Sequence, residues 1–111
     1  MKEQILNEDW LYHEYENEII PILNLFLDES NESIHLLQQA LEKEDFEMIK
    51  FYAHKLRGTA LIIGAELMAK SAQLIEETED INDFKDQISK VEKLYLKIRN
   101  EIMVIRNKHL S

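Results

Sequence analysis

Seven apolar residues in the last third of the chain repeat at the spacing of a packed helix. They follow one another in alternating steps of four and three: Phe84, Ile88, Val91, Tyr95, Ile98, Ile102 and Ile105. Such spacing places all of them on one face of a helix and is typical of a bundle or coiled-coil seam. A chain of 111 residues is long enough to bury a core of its own. We therefore expect the chain's other helices to cover this seam.

The rest of the chain carries the same periodicity and little that would interrupt it. Gly occurs twice and Pro once, and neither sustained alternation nor Gly-turn pairs predict a strand. Pro21 is compatible with a helix because it falls in the first turn after Asn17, a candidate N-cap. The predicted segments are a weak helix over 3–14, a helix from Asn17 with a break at 28–31, a helix from Asp45 to Gly64, a helix over 65–78, a solvated acidic turn over 76–80, and the seam helix from Asn82 or Asp83.

Short connections between these segments predict the fold. We expect an all-α protein, an up-down antiparallel four-helix bundle with an N-terminal helical extension. It should form a single domain over 1–111, with the extension at 1–15 and the helical bundle at 16–107. The seam could also pair two copies of the chain, but burial inside its own bundle is favoured, so we expect a monomer.

Composition excludes several classes of function. Twenty-two acidic and 13 basic residues give a net charge of −9, which argues against a nucleic-acid partner. Without cysteine there is neither a disulfide framework nor a thiolate metal site. Glu32 and His35 have the spacing of a di-iron ligand pair, but no second pair matches them, so we expect neither metal nor cofactor. No apolar run predicts a membrane span or signal peptide, and we expect a cytoplasmic protein.

Residues 54–65 contain the strongest functional signal. His54 precedes Arg57 by three positions and Gly58 by four, so one helical turn presents an imidazole, a permanent cation and a position without a side chain. At about 100° per residue, five positions lie within roughly 60° of His54: Lys50, Phe51, Arg57, Gly58 and Leu61. Apolar residues occupy the other side of the helix. His54 should therefore face solvent at the centre of its helix.

This arrangement suits a histidine that receives a phosphoryl group from another protein. No acidic residue occurs between Glu47 and Glu66, whereas Lys50, Lys55 and Arg57 all do. A phosphoryl group brings about −1.5 to −2 charges, which Arg57 and, less specifically, the two lysines would stabilise. The lysines are better explained as solvated helix charges than as specific phosphate ligands.

Glycine at position 58 destabilises the helix, and a need for free space beside His54 would explain why it is there. It lowers helix propensity by about 1 kcal/mol relative to alanine. We infer that a bulky group must approach His54 there. Phe51 and Leu61 would then form a docking patch around the histidine, although scattered apolar side chains are common on protein surfaces.

The chain resembles the histidine-containing phosphotransfer (HPt) domain family over about residues 16–105. The family signature is His-x-Leu-Lys-Gly, small residues, and then Gly with an apolar residue that begins the next helix. The matching residues are His54, Leu56, Arg57, Gly58, Thr59, Ala60, Gly64, Ala65 and Leu67; upstream Phe26, Leu27, Leu37, Ala40, Leu41, Asp45 and Ala53; and downstream Leu74 to Glu76. Arg57 stands where lysine is usual, which keeps the charge but changes the donor geometry.

The resemblance implies a phosphorelay intermediate without autonomous kinase activity. His54 would accept a phosphoryl group, on the ring nitrogen farther from the backbone, and exchange it with aspartates of response-regulator receiver domains. A hybrid sensor kinase would be a further partner, and the receiver would supply a divalent metal and an acidic pocket.

Two alternatives to this function remain open. A non-catalytic helical adaptor would bind a receiver without carrying phosphate. The phosphoacceptor helices of a sensor kinase are a weaker match, because an acidic residue usually follows the histidine there and Lys55 does so here.

Overall fold

The computed structural model describes residues 5–110, and their regular structure is helical. A short 3-10 turn, Glu16–Glu18, joins the first two α-helices. The five α-helices are α1 (Glu8–Tyr15), α2 (Ile19–Glu42), α3 (Phe46–Ile62), α4 (Glu66–Glu77) and α5 (Ile81–Leu110).

Helices α2 to α5 form the predicted bundle. The connections between them are residues 43–45, 63–65 and 78–80, and such short links make consecutive helices antiparallel neighbours. Helix α3 packs against α2 and α4, and α5 packs against the same two helices, so α3 and α5 lie diagonally opposite each other. The all-α, up-down four-helix bundle with α1 as its N-terminal helical extension is confirmed.

The seam of α5 lies in the core of this bundle. All seven seam residues are at most 7% exposed, so the chain's own helices cover it as predicted. The large side chains that are buried with it come from every other helix: Leu11, Ile19, Leu23, Phe26, Leu37, Ile49, Leu56 and Met68.

Helix α2 shows where the predicted segment boundaries were wrong. It runs without a break through residues 28–31, because Asp28 and Asn31 point to solvent while Ser30 is buried, which preserves the 3.6-residue period. Asn17 lies in the 3-10 turn, and the N-cap of α2 is Glu18. Pro21 occupies the first turn of α2, as expected, where a missing N–H costs no helical hydrogen bond.

The acidic run at 76–80 is only partly a turn, which corrects a second boundary. Glu76 belongs to the last turn of α4, and the connection to α5 begins at Thr78. Helix α5 starts at Ile81, one residue before Asn82 and two before Asp83, the two predicted starts. The Asp80 carboxylate there accepts the N–H of Asn82 at 2.8 Å. The structure thus assigns the capping role to Asp80.

Helix α1 packs over the turn that joins α3 to α4. Gly64 in this turn has a φ of +67°, and a Cβ there would come within 3.0 Å of the Trp10 ring. The Tyr15 hydroxyl donates to the carbonyl of Ile62. The predicted first segment over 3–14 begins later, at Glu8, behind an Asn7 side chain that accepts the N–H of Trp10 at 3.0 Å. Residues 3 and 4 of that segment lie outside the described residues.

None of the helices described over 5–110 combines the length and the apolarity that crossing a lipid bilayer requires.

Candidate functional site

His54 projects into solvent from the middle of α3. Asp45 caps the start of the helix, as the sequence predicted, and its carboxylate accepts the N–H of Met48 at 3.2 Å. The His54 side chain is 67% exposed. Residues that share its helix but face the core are buried: Ile49, Ala53, Leu56, Thr59 and Ala60. Ile63, directly after the helix, is buried as well. The prediction that His54 faces outward at the centre of its helix is confirmed.

A carboxylate from the neighbouring helix contacts the His54 ring. The Nδ1 atom of His54 lies 2.8 Å from Oε1 of Glu76 on α4. Arg57 approaches the same pair: its Nη2 lies 3.0 Å from Nδ1 of His54, and its Nε lies 3.3 Å from Oε2 of Glu76. The Glu76 side chain is 20% exposed. Its Oε2 atom is buried, and Arg57 is near enough to it for an ion pair but is not aligned for a hydrogen bond.

Nδ1 cannot hydrogen-bond to both neighbours at once, because Glu76 needs a donor there and Arg57 needs an acceptor, and electrostatics decides between the two tautomers. A carboxylate only accepts hydrogen bonds and a guanidinium only donates them. With the proton on Nδ1, His54 donates to Glu76 in a charge-assisted hydrogen bond, and Arg57 keeps the second carboxylate oxygen as its counter-charge. With the proton on Nε2, a lone pair would face the carboxylate at 2.8 Å. We assign the proton to Nδ1, which leaves the lone pair available on Nε2, an atom without a hydrogen-bond partner among the described residues.

Beside the imidazole lies an open groove between α3 and α4, with a volume of about 580 Å³. Apart from its adjacent residues and the backbone of its own helix, a Cβ atom at Gly58 would have no protein atom within 4 Å. The space beside His54 is therefore open to an approaching molecule and is not filled by the chain itself. The groove is lined by His54, Arg57, Gly58 and Leu61 from α3 and by Glu66, Ala69, Lys70 and Gln73 from α4.

The two lysines predicted to assist His54 face carboxylates on other helices. The Lys50 Nζ lies 3.0 Å from Glu79 beyond the end of α4, and the Lys55 Nζ lies 3.7 Å from Glu29 on α2. Neither lysine is among the residues that line the groove. Arg57 is therefore the predicted cation that the fold brings to the imidazole.

Phe51 and Leu61 flank His54 on the outer face of α3. They are 58% and 53% exposed, which is high for large apolar side chains. Leu61 lines the groove. Phe51 lies one turn before His54, and its ring meets that of Tyr52 edge-on. The outer face of α3 thus carries exposed apolar surface on both sides of the histidine.

Sequence reasoning gave no role to the residues that α4 contributes. Glu76 was placed in a solvated turn, yet it contacts both His54 and Arg57. The signal that could have found it is helical spacing, since Glu76 follows buried Ala72 by four residues and buried Ala69 by seven. It therefore lies near the face of α4 that packs on the bundle.

No metal centre accompanies these contacts. Within residues 5–110, no group of three or more His, Cys, Asp or Glu side chains is arranged to hold a metal ion.

The fold and the site together define a class of protein, a helical bundle that presents a carboxylate-held histidine on an open face. The profile of the Hpt domain family matches residues 21–104. The chain therefore belongs to the Hpt domain family, as the sequence predicted. It accordingly has a histidine phosphotransfer role in a phosphorelay, with response regulators as the class of partner. Proteins of this family are phosphocarriers and not kinases.

A solved structure shares this fold. It is the crystal structure of histidine-containing phosphotransfer protein B (HptB) from Pseudomonas aeruginosa PAO1, which superimposes with a TM-score of 0.83. The alignment covers 96% of this chain and 98% of that chain, at 22% sequence identity. At this identity the comparison establishes a common fold. No curated protein sequence matches the chain.

Proposed function

We propose that His54 is the phosphoacceptor of this chain and exchanges its phosphoryl group with aspartates of response-regulator receiver domains. The observation that supports this most strongly is the state of the His54 ring. Its Nδ1 atom is held by Glu76 at 2.8 Å, and His54 lines an open groove beside Gly58. A nucleophile needs this combination of a fixed tautomer and free access.

The proposed step is an in-line displacement at phosphorus. The Nε2 lone pair of His54 forms the N–P bond while the P–O bond of the receiver's aspartyl phosphate breaks, and that electron pair stays with the aspartate. The ring keeps its proton on Nδ1 and becomes cationic as the bond forms. The Glu76 carboxylate stabilises this developing charge at short range. The reverse step returns the phosphoryl group to a second receiver.

The other predicted residues act around this reaction. Arg57, at 3.0 Å from the ring, is close enough to turn from Glu76 to a phosphoryl oxygen once the group is attached, and Lys50 and Lys55 add positive charge from farther away. Gly58 leaves room for the partner. Phe51 and Leu61 provide the apolar docking surface, and the receiver supplies the divalent metal, so that this chain requires no cofactor of its own. A hybrid sensor kinase would supply the phosphorylated receiver.

Direct label transfer tests the proposal. A panel of isolated receiver domains is phosphorylated with radiolabelled acetyl phosphate and freed of the reagent. Each receiver is then mixed with this chain. We expect label to appear on the chain within seconds to minutes for at least one receiver, and to be labile in acid and stable in base, as phosphohistidine is. Label that is stable in acid, or no transfer from any receiver that binds the chain, would contradict the proposal.

Removing the carboxylate that holds His54 should slow transfer without stopping it. Glu76→Ala deletes the acceptor of the Nδ1 proton, and hydrogen bonds to charged groups contribute about 1.5–3 kcal/mol. We expect a decrease of about tenfold or more in the transfer rate, measured with the fastest receiver of the panel. Glu77→Ala is the matched control because Glu77 is an exposed neighbour that accepts a hydrogen bond from Gln73. Equal rates for the two variants would show that Glu76 does not assist the reaction.

A further inference from the structure

Lys70 stands out on the α4 side of the groove. It shares one face of α4 with Glu66, four residues earlier, and Gln73, three residues later. All three side chains are exposed, whereas Ala69 beside them is buried. The floor of the groove therefore consists of the apolar Ala69 and of Gly58, which has no side chain, whereas its rim on α4 is polar.

The other cations near His54 already have a counter-charge. Arg57, Lys50 and Lys55 lie within 4.0 Å of Glu76, Glu79 and Glu29, respectively. No hydrogen bond or ion pair joins Lys70 to another side chain within the described part of the chain. Even Glu66, on the same face, forms no ion pair with it there. Lys70 therefore presents an ammonium group without a direct ion-pair partner among the described residues at the rim of the groove.

The position of Lys70 along the groove favours a contact with the partner over one with the phosphoryl group. The contact His54–Glu76 sets the register of the antiparallel helices α3 and α4, and the pair Lys50–Glu79, just beyond the end of α4, agrees with it. This register places position 70 level with positions 59–60. That level is about 8 Å beyond His54 along the helix axis. Side chains tilt toward the N-terminus of their own helix, which separates His54 and Lys70 further.

We propose that Lys70 forms an ion pair with an acidic side chain on the docking face of the receiver domain and thereby helps to select which receivers this chain serves. The inference rests on the proposed function. A receiver that enters the groove places an apolar group over Gly58 and Ala69 and an acidic group opposite Lys70. Glu66, one turn nearer the α3–α4 connection, disfavours an acidic group opposite itself. The rim therefore favours partners whose acidic group lies opposite Lys70 over partners whose acidic group lies opposite Glu66. Charges at the rim of an interface create specificity in this way.

Charge reversal with a matched control tests this inference. Lys70→Glu is compared with Lys97→Glu, an exposed lysine on α5, which lies diagonally opposite α3. Both substitutions change the net charge equally. With the receiver that serves the wild-type chain fastest, we expect Lys70→Glu to raise KM about tenfold at low salt, to change kcat by less than about twofold, and to lose most of the effect near 0.5 M salt. Lys97→Glu should stay within about twofold of wild type in KM.

Loading of His54 from the small phosphodonor phosphoramidate separates the possible failures. It reports the reactivity of His54 without a receiver. Equal KM values for the two variants would overturn the role of Lys70 while leaving the proposed function intact. A loss of phosphoramidate loading or a shortened phosphohistidine lifetime in Lys70→Glu would also overturn it, because Lys70 would then act on the phosphoryl group. Failure of the wild-type chain to accept phosphate from any receiver would instead remove the proposed function itself.

Discussion

Replacing His54 with glutamine is expected to abolish phosphoryl transfer to this chain, by at least about 1,000-fold, which corresponds to about 4 kcal/mol. Glutamine keeps a similar length and polarity, but its amide nitrogen has no available lone pair with which to attack phosphorus. The side chain is 67% exposed, so the substitution should leave the core unchanged and shift the free energy of unfolding by less than about 0.5 kcal/mol. Acid-labile label on the chain, measured after mixing with a phosphorylated receiver, is the readout.

His35→Gln is the matched control for this experiment. His35 is also exposed and helical, lies on α2, and its ring contacts Gln39 at 3.2 Å. His35 should accept no phosphate, so the His35→Gln variant should accept the phosphoryl group at the wild-type rate. Receiver binding by His54→Gln is measured in parallel. Acid-labile label on His54→Gln would place the phosphoacceptor elsewhere. A wild-type chain that binds a receiver tightly but never takes label would support the adaptor alternative.

Two substitutions at Gly58 should separate helix stability from access to His54. Gly58→Ala places a methyl group where no protein atom lies within 4 Å, apart from adjacent residues and the backbone of the same helix. Alanine is about 1 kcal/mol better than glycine inside a helix. We expect Tm to rise by about 4 °C and transfer to change little. Gly58→Leu adds a branched side chain one turn from His54, inside the groove. It should slow transfer about 100-fold by excluding the receiver, which is a loss of nearly 3 kcal/mol.

Circular dichroism and transfer kinetics, measured together, decide the Gly58 prediction. Both variants should keep the helix content of the wild-type chain. Phosphoramidate, which is small, should load Gly58→Leu far better than a receiver does. If Gly58→Leu accepts phosphate from the receiver as fast as Gly58→Ala, the groove beside Gly58 is not the route by which the partner reaches His54.

The local features of the fold were predictable because they repeat along one helix. The steps of four and three in α5 predict a buried seam, and the seam is buried. The Asp45 cap and the outward face of His54 depend only on positions a few residues apart. The same reasoning was wrong at 28–31, where a cluster of polar residues suggested a break. Burial of Ser30 and exposure of Asp28 and Asn31 let the helix continue.

What the sequence by itself determined is the helical fold and the face of α3 that carries His54 with Arg57 and Gly58, since both depend on the angular period of a helix. It also determined the family, which depends on the order of residues in the His54 motif. Only the tertiary structure placed Glu76 at 2.8 Å from His54, paired Lys50 with Glu79 and Lys55 with Glu29, and left Lys70 without a counter-charge among the described residues. Helical periodicity defines which residues share a face. It does not define the register between two antiparallel helices, and that register decides which charges meet across a groove.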